Sequence, residues 1–308
     1  MNLFGWLAAL QGGAQEAAHG GGGESSPNLQ GMLMHHLSDG KEIEITLLGH
    51  GKVFHLPQWE PIHIGGFALD LSPTKHVVFM LLAALVLLLV FIPMARTMRT
   101  RYTDRAPRGF ANAMEAMILF FRDEIVRRNI GRGADAYTPY ILSLFFFILL
   151  MNLFGLLPWG ATATGNLSVT GALALLTFIV VEISGMVALG PKGYLRTIFY
   201  TPHGMHPAGQ AIMLVIMTPV EFLGKLTKPF ALAIRLFANM TAGHTLTLSL
   251  LGLIFMFANL ALGKWAIAGA SVAMVSGVMI LEVFVALLQA YIFAMLTAVF
   301  IGLIRHAH

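Results

Sequence analysis

From Lys75 onward the chain is a succession of long apolar runs separated by short polar or basic stretches. Val77 to Ala95, Tyr140 to Trp159 and Leu167 to Leu189 each approach the roughly 20 residues that a helix needs to cross a hydrocarbon core. Barrel strands would instead be short and strictly alternating. Two later runs are longer: Pro229 to Leu262, within a fourth span placed at 211–262, and Ala266 to Ile304. As helices they would rise about 50 and about 58 Å. The hydrocarbon core is only about 30 Å thick, so these helices must break or slant strongly. Only Gly263-Lys264 divides them clearly, which predicts an antiparallel hairpin. The pattern therefore predicts an all-α membrane protein of about five transmembrane helices, filling residues 76–308. No internal repeat is visible, which argues against an inverted-repeat transporter.

The first 75 residues read differently. Met1 to Leu10 is a short apolar run without a basic start, a poor signal peptide. Residues 11–30, with Gly20 to Gly23, have the composition of a flexible linker. From Ile43 to Leu71, short apolar pieces around Pro57 and Pro61 suggest a small hairpin or an interfacial patch. His19, His35, His36, His50, His55 and His63 fall in this region, but without the tight spacing of metal ligands. No metal or other cofactor is expected.

Composition agrees with a bilayer: 57% of residues are hydrophobic and 11% charged, where a soluble domain carries roughly 25% charged residues. There is no cysteine, which excludes disulfides and thiolate metal sites. The net charge of +4 points to topology, not to nucleic acid. Between the first two spans lie Arg96, Arg99, Arg101, Arg105, Arg108, Arg122, Arg127, Arg128 and Arg132, while Gly160 to Asn166 has neither Lys nor Arg. The basic segment is thus expected in the cytoplasm and the N-terminus outside. Lys192, Arg196 and Arg305 fit the same orientation. Within the basic segment Phe110, Met114, Ile118, Phe121 and Ile125 recur at helical spacing, with Glu115, Arg122 and Arg128 off that stripe. This predicts an amphipathic helix on the cytoplasmic face.

The last two spans carry the candidate chemistry. Arg235 sits where Leu, Phe, Ala and Met continue on both sides. A guanidinium stays protonated at physiological pH and costs at least about 2.5–3.5 kcal/mol in mid-membrane, so it needs a cavity, a partner or a function. Asn239 follows by one turn on the same face, whereas His244 is about 180° round the helix. Glu221 and Lys225 form an i,i+4 pair in the favourable order, the pattern of a helix end. In the final helix Glu282 and Gln289, seven apart, share a face, with Tyr291 near but off it. Histidine titrates near neutral pH and a carboxyl removed from water shifts toward it, as a proton relay requires. An arginine does not relay protons; it can hold a carboxylate ionised.

These residues carry a resemblance. Leu226-Thr-Lys-Pro-Phe-Ala-Leu-Ala-Ile-Arg-Leu-Phe-Ala-Asn-Met-Thr-Ala-Gly-His resembles the signature of subunit a of the F-type ATP synthases. Leu281-Glu-Val-Phe-Val-Ala-Leu-Leu-Gln-Ala-Tyr-Ile-Phe and Met151-Asn-Leu-Phe-Gly-Leu-Leu-Pro are similar too. The likeness runs in order from about Lys75 to Ile304 and leaves the first 75 residues unmatched. It implies a non-catalytic membrane stator in the inner membrane, working against a rotating c-ring and held by the peripheral stalk subunit b. Arg235 would face the ring carboxylates, with Asn239 and Gln289 beside it. His244 and Glu282 would line the half-channel open to the outside, and Glu221 would lie near the cytoplasmic exit. Some members place the carboxylate on the first helix and the imidazole on the second; here they are exchanged, as in other members.

A proton-coupled secondary transporter would also bury Arg, Glu and His, and is the alternative. No His-Glu-x-x-His run, Gly-x-Ser-x-Gly elbow or Gly-x-x-x-x-Gly-Lys-[Ser/Thr] loop is present, so neither intramembrane hydrolysis nor nucleotide binding is indicated. A scaffold that passes no ions would have no use for the buried charges.

Overall fold

A computed structural model describes residues 40, 42–47, 50–59, 62–64, 67–69, 72–101, 108–157, 160, 162–199, 207–256 and 263–306. The N-terminal apolar run, the Gly-rich stretch 11–30, His19, His35, His36, Arg105 and Trp159 lie outside the described residues. Two antiparallel hairpins come first: β1 (Glu42–Leu47) with β2 (His50–His55), and β3 (Ile62–Ile64) with β4 (Phe67–Leu69). The short apolar pieces around Pro57 and Pro61 therefore pair locally as strands. Helices follow as α1 (Lys75–Arg101), α2 (Phe110–Phe120), α3 (Thr138–Gly155), α4 (Leu167–Ile198), α5 (Pro207–Met256) and α6 (Gly263–Arg305).

Among the described residues, four helices are long and apolar enough to cross a membrane: Lys75–Thr100, Ala134–Gly155, Leu167–Ile198 and Trp265–Arg305. The chain is a multi-pass membrane protein. α5, at 50 residues, is longer than any of these, but Glu221, Lys225, Lys228, Arg235 and His244 interrupt its apolar character. It begins well before the run that opens at Pro229 and continues through both Pro219 and Pro229. Between Leu81 and Ile92 the side chains that α1 leaves exposed, including Leu85, Leu88 and Leu89, are apolar. Such a surface suits lipid and would aggregate in water.

The chain divides into two compact units. The larger one, His76–Ala238 with Val285–His308, holds the main core. Ile141, Leu144, Phe145, Ile148 and Met151 of α3 pack there with Phe293, Ala290, Ala294, Ala298 and Ile301 of α6. Alanine at every fourth position of α6 gives neighbouring backbones a flat strip to approach, the usual device where lipid offers no hydrophobic drive. Gly185 serves the same purpose on α4, since a Cβ there would come within 2.7 Å of Ile304. Asn166 caps α4 by accepting a hydrogen bond from the Ser168 backbone N–H at 2.8 Å.

The amphipathic stripe of α2 sinks progressively into this core. Phe110 is exposed, Met114 and Ile118 are half-buried, and Phe121 and Ile125 are buried. Beyond Phe120 the backbone widens into a π-helical turn over Phe121–Arg127. The wider turn shifts the register, so Val126 joins Ile125 inside. Phe121 packs on Phe145 at 4.4 Å and on Tyr291 at 6.1 Å between ring centres. On the outer side, Arg127 grips Asp135 through Nε and Nη2, both at 2.8 Å, and reaches Asp123 through Nη1 at 2.9 Å. The Arg127 hydrogen bond holds the Asp135 carboxyl below its ordinary range, and Arg122 does the same for Asp123.

The end of α6 closes on this region. Arg305 Nη2 donates to the Arg132 carbonyl at 2.8 Å and its guanidinium lies over the Tyr137 ring. The basic segment and the C-terminal end of α6 therefore meet.

The smaller unit comprises Met1–Lys75 and Asn239–Phe284. In it the Lys75 N–H bonds the Gly40 carbonyl, and the Trp59 N–H bonds Ser72 Oγ at 3.0 Å.

Candidate functional site

Three polar clusters stand in these apolar helices. The first is Arg235 on α5. It is exposed, between the exposed apolar side chains Phe230 and Ile234 and the exposed Ala238. Among the described residues its guanidinium makes no hydrogen bond or ion pair. A cation on an apolar face, without a partner among the described residues, needs a cavity, a partner or a function. Asn239 is also exposed, while Gln289 on α6 is buried to 1% exposure.

The second cluster joins α5 and α6 in the smaller unit. Glu282 is half-buried, and its Oε1 accepts a hydrogen bond from Thr247 Oγ1 at 3.0 Å. A Cβ on Gly243 would stand 2.7 Å from the same oxygen. Glycine at 243 therefore makes room for the carboxylate. His244, next in sequence and half-buried, is near enough to Glu282 to feel its charge. An imidazole and a carboxylate, one from each helix, are thus brought together in apolar surroundings.

The third cluster lies in the larger unit, where α4, α5 and α6 enclose a cavity of about 210 Å³. Its polar lining is Thr177, Glu182, Thr197, Glu221, Lys225 and Lys228. Here the sequence reading is corrected. Lys225 does not serve as the i,i+4 partner of Glu221 at a helix end. Its ammonium lies 3.6 Å from Glu182 Oε2, donates to Thr197 Oγ1 at 3.2 Å and sits 4.5 Å above the Tyr194 ring. The Tyr194 hydroxyl donates to the same Glu182 oxygen. Glu221 itself is exposed and, among the described residues, has no ion pair.

Glu182 is the residue that sequence reasoning missed. It lies inside the third apolar run, and a carboxylate in such a run is a signal by itself. What the spacing hides is the geometry. Glu182 and Tyr194 are 12 residues apart, about 18 Å along a straight helix, too far for their side chains to meet. α4 breaks at Gly190, with φ 71° and ψ 165°, immediately before Pro191. That φ suits glycine, and the proline cannot return the missing N–H. The break folds the last turns back, so that Tyr194 returns to Glu182 and Thr197 to the Lys225 ammonium beside it.

A buried asparagine completes the polar inventory. Asn152 Oδ1 accepts from Thr164 Oγ1 at 2.7 Å, and its Nδ2 donates to the Ala286 carbonyl at 3.3 Å. It ties the end of α3 both to the α3–α4 connection and to α6, one turn before Gln289.

Comparison with known proteins gives the family of the chain. The family described as ATP synthase A chain matches residues 77–302, the whole helical region. "ATP synthase subunit a" of Chloroherpeton thalassium is 46% identical over 88% of this chain and 75% of its own length. "ATP synthase subunit a" of Anaeromyxobacter dehalogenans is 45% identical over 95% and 74%. "ATP synthase subunit a 2" of Prosthecochloris aestuarii is 44% identical over 94% and 83%. With an unpaired arginine on a lipid-suited face and such likeness along nearly its full length, the chain belongs to the family of ATP synthase a subunits.

Proposed function

We propose that this subunit passes protons to and from a ring of c subunits and so converts ion flow into rotation, without catalysing ATP synthesis itself. The observation that carries the reading is Arg235, exposed among apolar side chains and unpaired among the described residues. A ring carboxylate in lipid must be neutral, because ionisation there is costly. Opposite Arg235 it is favoured as the anion and releases its proton toward the cytoplasm past Glu221. A new proton arrives from outside through His244 and Glu282. Asn239 and Gln289 flank the arginine, and its fixed positive charge blocks a continuous proton wire. Each proton crossing the membrane potential supplies about 2.3 kcal/mol per 100 mV for the step.

The same reading places the chain in the bacterial inner membrane, with the N-terminus outside, the C-terminus in the cytoplasm and subunit b as a further partner. Replacing Arg235 by Ala should abolish ATP-driven proton pumping in membrane vesicles while the complex still assembles. Wild-type pumping by Arg235→Ala would refute the assignment, and binding of a small solute by the isolated subunit would favour a secondary transporter.

A further inference from the structure

The proposed proton path uses Glu221 but gives no role to Glu182, Tyr194 or Lys225, although these form the most enclosed ionic cluster described. The side chains of Lys225 and Glu182 are exposed by only 10% and 12%. From α4 the cluster receives Glu182 and Tyr194; from α5 the cavity receives Glu221, Lys225 and Lys228. From α6 it receives Phe300, Leu303 and Ile304, none of which titrates, and Lys228 lies over the Phe300 ring at 5.5 Å.

We propose that Glu182 is a positioning residue. With Tyr194 and Thr197 it latches the Lys225 ammonium to α4, and so keeps it from turning back one helical turn onto Glu221. The carboxylate at the cavity then stays open to accept and release protons. The role rests on the reading of Glu221 as part of the cytoplasmic exit.

Glu221 and Lys225 stand in the order and spacing that pairs best on a helix. Lysine has a flexible stem and a compact charge, so nothing within α5 prevents that pairing. What prevents it is three competing contacts from α4: an ion pair, a hydroxyl acceptor and an aromatic face. Tyr194 also donates to the carboxylate that holds the lysine, which fixes Glu182 in turn. Removal of Glu182 alone would leave a buried ammonium without its counter-ion, a costly state. Glu221, one turn away on the same cavity wall, is the carboxylate at hand to relieve it.

The absence of native cysteine allows a direct test in the full-length chain, in inverted membrane vesicles. With Glu221→Cys in place, cationic and anionic methanethiosulfonate reagents compete for position 221, and their rate ratio reads the local charge. Adding Glu182→Gln should raise the anionic-to-cationic ratio about tenfold, as a unit charge brought within a few ångströms requires. Adding Lys225→Gln as well should return it. Tyr194→Phe, which keeps the charges and the ring, should shift it in the same direction by less. An unchanged ratio in Glu182→Gln and in Tyr194→Phe overturns the latch.

The functional part is read by ATP-driven pumping with Glu221 restored. Glu182→Gln should slow pumping, and Glu182→Gln with Lys225→Gln should recover it. In a Glu221→Gln background Glu182→Gln should cause no further loss; a loss of equal size there would mark a packing role and overturn the proposal. If the labelling ratio shifts while Glu221→Gln pumps normally, the exit-path reading fails and the role assigned to the latch fails with it.

Discussion

Asn152 offers a direct test of how polar contacts hold the apolar helices in register. It is fully buried, accepts from Thr164 at 2.7 Å and donates to the Ala286 carbonyl at 3.3 Å. Asn152→Ala removes both bonds and leaves a small void. The Thr164 hydroxyl, also at 0% exposure, then has no acceptor from this residue. A buried polar group left unmet costs about 1–3 kcal/mol, but hydrogen bonds between membrane helices average only about 0.6 kcal/mol, because the unfolded helices find other partners in lipid. The shorter bond, to Thr164, should be near the upper part of that range; the longer one, to an already bonded helix carbonyl, near the lower. With the void included, Asn152→Ala should destabilise the subunit by about 2 kcal/mol. Thr164→Val, which keeps the shape, should cost about 1 kcal/mol. The assay is reversible unfolding by sodium dodecyl sulfate in mixed micelles, followed by tryptophan fluorescence for both single changes and the double. The double should cost less than the sum by about 1 kcal/mol. Strict additivity would show that the two side chains do not act together and would refute the reasoning.

Two further expectations concern the path and its topology. If His244 and Glu282 form one relay, each single loss should slow proton uptake from outside, and Glu at 244 with His at 282 should restore more pumping than either change alone; additive effects with an unmoved external pH profile would separate them into independent packing residues. In the proposed topology a cysteine introduced at position 264 should react with an impermeant thiol reagent added outside, and labelling only from the cytoplasmic side would reverse the orientation.

Much of the fold was legible because a bilayer simplifies the code. Long, predominantly apolar runs become helices whatever their detailed sequence, so the run from Val77 and the run from Leu167, despite Glu182 within it, announce α1 and α4. The third run was expected to end at Leu189, one residue before the break. The helix that resumes after Gly190 has no counterpart in that pattern, where Lys192 and Arg196 serve only to orient the chain. α5 starts at Pro207, close to position 211 where the fourth span is placed, and runs through Pro219 and Pro229, which punctuate a soluble helix but are tolerated where neighbours supply the lost contacts. Local spacing also misassigned Lys225: an i,i+4 rule sees one helix at a time, and the stronger partner came from another. The π-helical turn at Phe121–Arg127 left no mark in the period of the apolar stripe, which fits an α-helix equally well.

The closure of α6 onto the basic segment acquires a mechanical meaning under the proposed function, in which the subunit faces a turning rotor. A rotor that is pushed would push back on α5, which carries Arg235, and through the Thr247–Glu282 hydrogen bond on α6, which would be dragged sideways unless its end were moored. Arg305 ties that end to the Arg132 carbonyl, and Gly302 lets the helix lie directly against the Asn129 backbone, where any side chain would wedge them apart. In the same segment Arg127 is bonded in turn to Asp135 and Asp123. On that proposal the recoil of each rotary step would be borne by bonds outside the proposed proton path, leaving the side chains along that path to move protons without carrying load.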